Sequence, residues 1–364
     1  MRYPKNKLRL YFLSIIACVI AITGCSQKPE FSYEKTKFSN LYGWQNEDVS
    51  ELYTPFVTQC RNLQKAEYKN ICVRAKNIQP TQFKNFVEKN FQPYLLKSNK
   101  QMLYTGYYKP NIEASFTKTD EYKYPLYALP NDIIKVNLAD FGIKTGGKIQ
   151  GRIQNNKLIP YYTRREIDKG RMSFDVLLWT KSYLDNFFLQ IQGSGNVQFM
   201  NGDKAYIAYA GNNGHKYTSI GKVLLDNKWM KKEDISLFSL KKWLKNNPYK
   251  ATNILQQNAR YIFFSLADEP SEGSLKMPLI SERSLAVDPK YIPLGSMVFI
   301  NTPLTARPNT YINKTLFAQD TGAAITGPDR ADIFFGDTKE AEYRAAYQNS
   351  KGKLYLLALK KTAH

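Results

Sequence analysis

Residues 318–336 read AQDTGAAITGPDRADIFFG, and this stretch decides the fold class. Short apolar segments at 315–319 and 333–335 enclose a turn-rich loop, and similar segments occur at 296–300 and 353–358. Runs of β-branched and aromatic residues bounded by Gly, Pro and Asp are typical of strands. Several short strands with few helices indicate a closed β-barrel.

The sequence outside this stretch divides into helical and strand-like regions. Apolar residues recur at three- and four-residue intervals over 49–100, which predicts packed helices. From 104 to about 214, short segments rich in Tyr, Ile and Val alternate with Gly, Pro and Asn, which predicts mainly strands. Helical patterns return at 220–225 and 233–246, and a capping-box sequence predicts a further helix with Asp337 as its N-cap.

Three aspartates in the C-terminal part, Asp288, Asp320 and Asp332, each follow or open an apolar strand. A carboxyl group among apolar residues loses hydration, which raises its pKa and lets it act as a general acid near neutral pH. Asp332 fits this role best because the segment 333–335 directly after it is apolar. Such aspartates can equally do no more than bind the amides of a turn, so the pattern alone leaves both roles open.

The N-terminus has the pattern of an export signal. Four basic residues precede an apolar run at 10–22 that is too short to favour spanning a bilayer. The run ends in Ile-Thr-Gly-Cys at 22–25, which resembles the processing box of bacterial lipoproteins and predicts Cys25 as the lipid attachment site. Ser26 suits sorting to the outer membrane, which predicts anchoring at its periplasmic face. An ordinary secretory signal or an uncleaved anchor is the alternative.

The composition indicates a globular, exported protein that meets acidic partners. The chain has 364 residues, 43% of them hydrophobic, and a formal net charge of +21. An exported lipoprotein does not meet chromosomal DNA, so we do not expect nucleic acid as a partner. Peptidoglycan carboxylates and anionic lipid head groups are the expected acidic partners, although a lysine bias of the whole proteome would explain part of the charge.

Cysteine and histidine are scarce, which limits the chemistry. Outside the signal region only Cys60 and Cys72 remain, and an exported pair can form a disulfide. The chain has two histidines, so a catalytic triad that depends on histidine is not expected. It has no C-x-x-C motif, and we predict no metal and no other cofactor. Any catalysis therefore depends on carboxylates.

Several segments resemble one known family. The three aspartate segments, with Pro-Leu-Gly at 293–295, resemble the 3D domain, named for three aspartates, of the membrane-bound lytic murein transglycosylase A (MltA) family. Other segments similar to that family, in chain order, are YTGYYKP at 104–110, YTRREI at 162–167, FLQIQGSG at 188–195 and YAGNNGH at 209–215. The resemblance extends from about Cys60 to the C-terminus.

The resemblance implies a protein that is mainly β with some α. It implies a double-psi β-barrel domain assembled from both chain ends, with an inserted, mainly β second domain and a groove between the two. The implied divisions are a signal segment at 1–25, a tether at 26–45, the first part of the barrel domain at 46–109, the insertion at 110–265, and the second part of the barrel domain at 266–364.

The resemblance also implies a reaction and its residues. The family cleaves the MurNAc-GlcNAc bond of peptidoglycan glycan strands without water and leaves 1,6-anhydro-MurNAc ends. Asp332 matches the single catalytic aspartate, which acts as acid and then as base, and Asp320 and Asp288 match supporting carboxylates. The implied substrate-binding residues are Thr105, Tyr107, Tyr108, Gln192, Ser194 and Gly322. Cell-wall synthesis or division proteins are further expected partners, without a particular protein being indicated.

Three other readings stay open at this point. A hydrolase with Asp332 and Asp320 as two carboxylates would produce reducing ends. A peptidoglycan-binding lipoprotein without catalytic activity would release nothing. A two-metal phosphatase built on the aspartates is the most distant reading.

One position departs from the family pattern. Ala323 stands where the family usually has a second glycine in the loop after Asp320. If the backbone at Ala323 required a positive φ, the methyl group would cost stability or shift the loop.

Overall fold

A computed structural model describes residues 31–61, 66–143, 147–170, 172–270 and 272–360. The predicted signal segment, with the lipid attachment site Cys25, lies outside the described residues. Within the described residues, no helix is long and apolar enough to cross a membrane.

The described residues are mainly β with some α, as predicted. The strands are β1 Phe31–Lys35, β2 Phe91–Ser98, β3 Met102–Tyr107, β4 Asn111–Ser115, β5 Tyr124–Tyr127, β6 Ile134–Asn137, β7 Lys148–Gln154, β8 Lys157–Pro160, β9 Val176–Thr180, β10 Gly195–Phe199, β11 Lys204–Asn212, β12 Ile262–Ala267, β13 Ser284–Val287, β14 Met297–Pro303, β15 Tyr311–Asp320, β16 Arg330–Phe334 and β17 Asn349–Leu359. The helices are α1 Tyr53–Gln59, α2 Ala66–Ala75, α3 Phe83–Asn90, α4 Arg164–Asp168, α5 Tyr183–Gln192, α6 Ile220–Asp226, α7 Leu237–Asn246, α8 Pro248–Leu255 and α9 Lys339–Tyr347.

Strands from both ends of the described chain close into a ring. β17 pairs with β14, β14 with β15, β15 with β13, β13 with β16, β16 with β3, and β3 again with β17. The β13–β15 and β16–β3 pairs are parallel and the other four are antiparallel. β1 and β2 extend the sheet outward from β17. The double-psi connectivity itself stays a prediction.

The barrel is buried on both faces, which explains why its strands read as continuous apolar runs. In β14, Val298 and Ile300 pack into the barrel interior, whereas Met297 and Phe299 pack outward against the N-terminal helices. Alternate residues of a strand point to opposite faces, so a strand covered on both sides has no polar face. The helices α1–α3 form this outer cover.

The prediction of a tether at 26–45 is wrong for residues 31–45, the part that the structure describes. Residues 31–35 form β1, which pairs with β2, and Leu41 and Trp44 are buried in the outer core. Trp44 lies against Phe299, and its indole N–H donates to Glu88. Apolar burial therefore fixes a segment whose polar composition suggested a free linker.

Two local predictions also need correction. The helical pattern over 49–100 is broken at its end, because 91–98 form β2 rather than a helix. The helix after Phe335 is capped by Thr338, whose hydroxyl accepts from the Ala341 amide, and not by Asp337. The Asp337 carboxylate instead accepts from Asn196 Nδ2, at 3.0 Å, on the facing sheet. In the N-terminal helices, a disulfide joins Cys60 to Cys72.

A second sheet contains the strands between 111 and 267, in the order β12-β11-β10-β4-β9-β5. The strands β6, β7 and β8 form a separate antiparallel sheet. Helices α5–α8 pack together through a core that includes Phe187, Leu224 and Leu255. The division into domains, with an insertion at 110–265, stays a prediction.

Candidate active site

Sheet register places Asp332 beside Thr105. β16 and β3 run parallel, and Asp332 is the register partner of Thr105. The Thr105 hydroxyl donates to Asp332 Oδ1 at 2.6 Å. Ala331 and Ile333, on either side of Asp332, point into the barrel core, so alternation directs the carboxyl group out of that core.

Opposing effects act on the Asp332 carboxyl group. Burial disfavours the charged form and raises its pKa to about 6, and the nearby Asp320 charge adds to this rise. The Thr105 hydrogen bond and the positive charge of Arg330 act in the opposite direction because both stabilise the carboxylate. The outcome is a group that holds a proton in mildly acidic solution and can release it near neutrality.

The strand order brings Asp320 to the same surface. Ala286 of β13 pairs with Asp332 on one side and with Asp320 on the other. The two aspartates are therefore two strands apart, which corresponds to roughly 10 Å between their backbones. The small, buried Ala286 leaves the space between the two carboxyl groups free of a large side chain.

Asp320 is held by several donors. Its Oδ1 accepts from the Ser274 amide at 3.0 Å, the Ser274 hydroxyl at 3.0 Å and the Thr321 amide at 2.9 Å. Its Oδ2 accepts from the Tyr107 hydroxyl at 3.0 Å. Burial, followed by the charge of Asp320, raises the pKa of Tyr107 well above its usual value, so that its hydroxyl remains a donor. Asp320 thus connects three chain segments at the site.

Asp288 lies outside the cavity that contains the other two aspartates. Its Oδ2 accepts from the Gly327 amide at 2.9 Å, and its Oδ1 accepts from the Lys290 amide at 3.0 Å. Gly327 belongs to the loop that leads into β16. Asp288 therefore fixes this loop rather than presenting a carboxyl group to a ligand.

A cavity of about 1130 Å³ lies between the barrel and the second sheet, and Asp332 and Asp320 line it. The barrel side also contributes Tyr107 and Gly322, and the second-sheet side contributes Gln192 and Ser194. These predicted site residues thus meet in space although their sequence positions lie far apart.

The segment at 188–195 is a helix end rather than a plain turn. Gly193 ends α5 with a φ of +83°, a left-handed conformation that favours glycine. Gln192 is the last helical residue, and its Oε1 accepts from the Tyr108 amide at 3.1 Å. Gln192 thereby connects the second sheet to the chain leaving β3, while Ser194 lines the cavity after the turn.

Two predicted substrate-binding residues do not line the cavity. Tyr108 is buried in the barrel core, and its hydroxyl donates to Glu342 of α9 at 2.8 Å, so the structure contradicts a direct contact with substrate. Thr105 uses its hydroxyl to bind Asp332. Strand alternation explains the difference, because Thr105 and Tyr107 share one face and Tyr108 lies on the other.

The loop with the unusual alanine adopts an ordinary backbone. Ala323 does not have a positive φ, so the expected steric cost of its methyl group does not arise. Gly322 lines the cavity, and a Cβ atom there would lie 2.9 Å from Ile325 Cγ1. The glycine is required because Ile325 packs closely against it.

Sequence reasoning missed several residues that line the cavity. Ser274 binds Asp320, and Arg330 precedes Asp332 by two residues on the same strand face. Arg164 and Arg260 line the second-sheet side. The alternation of β16 could have identified Arg330. Arg164, on α4, lies in the YTRREI segment, and Arg260, just before β12, has no local signal.

The described residues contain no group of three or more His, Cys, Asp or Glu side chains that could hold a metal ion. The absence of a cofactor stays a prediction.

The fold and the site define a class. A barrel and a second sheet enclose an open groove, and one partly buried carboxyl group with a raised pKa faces it. A carboxyl group in this setting is suited to both acid and base steps.

Family models match two regions of the chain. The family model described as the MltA specific insert domain matches residues 103–265, and the 3D domain model matches residues 283–358. The two matched regions confirm the resemblance to the MltA family that the sequence segments predicted.

Named relatives and solved structures are similar to this chain and carry the name of the same family. Membrane-bound lytic murein transglycosylase A of Escherichia coli K12 is 32% identical over 70% of this chain and 65% of the relative, and that of Vibrio cholerae is 30% identical over 71% and 66%. The chain thus spans slightly less than two thirds of these relatives' length. A membrane-bound lytic murein transglycosylase from Agrobacterium tumefaciens has a TM-score of 0.82 at 28% identity, covering 90% of this chain and 98% of that one. The E. coli MltA structure with bound chitohexaose has a TM-score of 0.69 at 26% identity, covering 92% and 93%.

Proposed function

We propose that the chain is a lytic transglycosylase that cleaves the β-1,4 bond between MurNAc and GlcNAc in peptidoglycan without water. The observation that carries the proposal is Asp332, a carboxyl group with its pKa raised to about 6 on the wall of a long groove. The names of the relatives and the chitohexaose bound by E. coli MltA support a glycan strand as the substrate.

The reaction requires one group that changes protonation state twice. The Asp332 carboxyl group first donates its proton to the glycosidic oxygen as the bond from that oxygen to MurNAc C1 breaks. GlcNAc leaves with a free 4-hydroxyl. The Asp332 carboxylate then removes the proton from the MurNAc 6-hydroxyl while that oxygen bonds to C1. The product is a 1,6-anhydro end, Asp332 is protonated again, and no atom is gained or lost overall.

Neighbouring groups support both protonation states. Burial favours the protonated acid before cleavage, and the Thr105 hydroxyl and Arg330 stabilise the carboxylate after it. Tyr107 and Ser274 hold Asp320, which keeps a second negative charge close enough to raise the pKa of Asp332. Asp288 supports the site through the loop at Gly327.

The contacts of Asp320 argue against the two-carboxylate hydrolase. A nucleophile or a base that activates water needs an oxygen free to approach the sugar or the water. Three donors occupy one oxygen of Asp320, and Tyr107 occupies the other. This leaves Asp332 as the group suited to acid and base chemistry.

The proposal extends to domains and location. An insertion at 110–265 within a barrel domain is supported by the insert-domain match at 103–265 and by the second sheet. We place Cys25 at the periplasmic face of the outer membrane as the lipid attachment site, supported by the sequence at 22–25 and by the membrane-bound relatives. Partners among cell-wall synthesis or division proteins belong to the same proposal.

Mass spectrometry of muropeptides released from purified sacculi tests the function. We expect anhydro-MurNAc products from the chain lacking residues 1–25 and none from its Asp332→Asn variant. Asp329→Asn, in the loop just before β16 and outside the cavity lining, is the matched control and should retain activity. Reducing-end products would favour a hydrolase, and the absence of products from a folded wild-type chain would favour a binding protein.

A further inference from the structure

Arg164 is an unusual residue of the groove because it is charged and only 1% exposed. Its side chain lies over the rings of Phe187 and Tyr261, with distances of 4.7 and 5.0 Å to the ring centroids. Such packing holds the planar guanidinium group in one orientation. The position is therefore rigid, and the charge has a fixed place at the groove.

The hydrogen bonds of Arg164 are incomplete. Its Nε donates to the Asn258 carbonyl at 3.0 Å, and its Nη2 donates to Gln190 Oε1 at 2.7 Å and to the Arg260 carbonyl at 2.6 Å. Its Nη1 is buried and has no hydrogen-bond partner among the described residues. A buried donor without an acceptor is costly, and more so when it carries charge.

The charge of Arg164 is also not neutralised by a close ion pair. Within the described part of the chain, no carboxylate oxygen lies within 4.0 Å of a guanidinium nitrogen of Arg164. Asp168 acts on it from farther away, but the Asp168 carboxylate accepts its hydrogen bonds from Tyr183 and Gln256.

A second arginine lies on the same wall. Arg260 lines the cavity together with Arg164, and its Nη1 donates to the His215 carbonyl at 3.1 Å. Burial lowers the pKa of Arg260, which marks a guanidinium group with reduced hydration. Two arginines therefore line the same cavity, where neutral sugar hydroxyls alone would not require their charges.

We propose that Arg164 and Arg260 form a carboxylate-binding site that recognises an acidic group carried by the glycan strand. The inference rests on the proposed function and narrows its substrate to a glycan with acidic substituents. A carboxylate would accept from Arg164 Nη1 and from Arg260, supplying the missing acceptor and a compensating charge. Arg164 lies on α4 and Arg260 lies just before β12, whereas Asp332 lies on the barrel strand β16. The site would therefore orient the glycan rather than take part in proton transfer.

Peptidoglycan offers this chemistry from two sources. Where the peptide has been removed, the lactyl group of MurNAc ends in a free carboxylate. Where the peptide is present, the lactyl group is amidated and the carboxylates belong to the peptide. Chitohexaose, which contains only GlcNAc, has neither.

Binding measurements with three oligosaccharides separate these cases. The full chain carrying Asp332→Asn, for which we expect no turnover, is titrated with three ligands. They are chitohexaose, a peptide-free GlcNAc-MurNAc hexasaccharide, and the same hexasaccharide carrying peptides. Arg260→Gln and Arg164→Gln are compared with Arg165→Gln, an exposed arginine adjacent to Arg164 on α4. Thermal unfolding of each variant reports whether it folds.

We expect Arg260→Gln to weaken binding of an acidic hexasaccharide by about tenfold or more and to leave chitohexaose binding unchanged, because a hydrogen bond to a charged group is lost. Weakening for the peptide-free ligand identifies the lactyl carboxylate, and weakening only for the peptide-bearing ligand identifies the peptide. Equal weakening for chitohexaose, or none for any ligand, overturns the proposal. If Arg164→Gln does not fold, Arg260→Gln decides alone.

The test of the arginine site can be separated from the test of the proposed function. Wild-type chain is assayed in parallel for anhydro-MurNAc products from sacculi. If no such products form, the transglycosylase function fails, whereas selective loss of acidic-ligand binding would still establish the arginine site.

Discussion

At the scale of single residues, the acid strength of Asp332 depends on a balance that includes one hydroxyl group. Burial raises its pKa, and the 2.6 Å hydrogen bond from Thr105 lowers it. Because the hydroxyl group donates this hydrogen bond, it stabilises the charged carboxylate more than the neutral carboxyl group. Thr105 therefore sets how readily Asp332 releases its proton, although it does not line the cavity.

Replacing Thr105 by valine should raise the pKa of Asp332 above about 6, because the carboxylate loses a donor while the site stays buried. In the free enzyme the proposed acid must be protonated, so kcat/KM falls as pH rises through this pKa. We expect the falling limb of the pH profile to move to higher pH in Thr105→Val. The measurement is the rate of anhydro-MurNAc release between pH 4 and pH 8.

Thr105→Ser retains a hydroxyl group and serves as the control, with a pH profile close to that of the wild type. A shift of the valine variant to lower pH, or an unchanged profile, would contradict the assigned role of the hydrogen bond.

At the scale of secondary structure, the packing of α9 on β3 fixes the strand that carries Thr105 and Tyr107. Gly106 lies between these residues, and a Cβ atom there would lie 2.6 Å from Phe335 Cε2 and 2.7 Å from Ala345 Cα. The backbone of α9 cannot give way without moving the helix. Glycine at this position therefore permits close contact between helix and strand.

Gly106→Ala should lower the free energy of unfolding by about 1–3 kcal/mol, because a methyl group is forced into a filled space. It should also lower activity, since β3 positions the partners of both aspartates. Gly221→Ala is the control, because its nearest neighbour would be 3.5 Å away and alanine favours a helix. Urea unfolding of the variants measures the effect, and equal stability of the two would show that α9 is not tightly packed.

Sequence patterns predicted strands and helices well where the residues that define them lie close together in the sequence. The strands around Asp320 and Asp332 were recognisable because turn residues bound short apolar runs. β1 was missed because its partner β2 lies some sixty residues later in the chain, and a polar segment gains order only from that pairing. The N-cap was assigned to Asp337 rather than Thr338, because both residues are common caps and Asp337 binds Asn196 on the facing sheet instead.

At the scale of the whole molecule, the site was predictable only in part. Asp332 and Asp320 carry local signals and also match family segments. Arg164 and Arg260 become neighbours only through the fold. The side to which Tyr108 points, directly after β3, depends on how β3 pairs with β16. Such proximity in the folded protein cannot be predicted from the spacing of residues along the chain.

The excess of basic residues should strengthen binding of the whole molecule to an acidic polymer. With 52 Lys and Arg against 31 Asp and Glu, we expect attraction to the anionic sacculus that weakens as salt rises. The retained fraction of Asp332→Asn protein in pelleted sacculi should fall between 50 and 500 mM NaCl. Chitin beads, which lack carboxylates, are the control and should retain protein with little salt dependence. Equal salt dependence on both polymers would mean that charge does not contribute to binding.

The ring contains β3, which precedes the second sheet, and β17, which follows every other ring strand in the sequence and pairs with both β3 and β14. Because a polypeptide is synthesised from its N-terminus, β17 is made after all its ring partners. Without β17 the ring lacks the strand that joins β14 to β3, so we expect Asp332 to be hydrated and to have the acidity of an ordinary aspartate. The raised pKa of Asp332 is therefore expected only after the last strand has been made and has closed the ring.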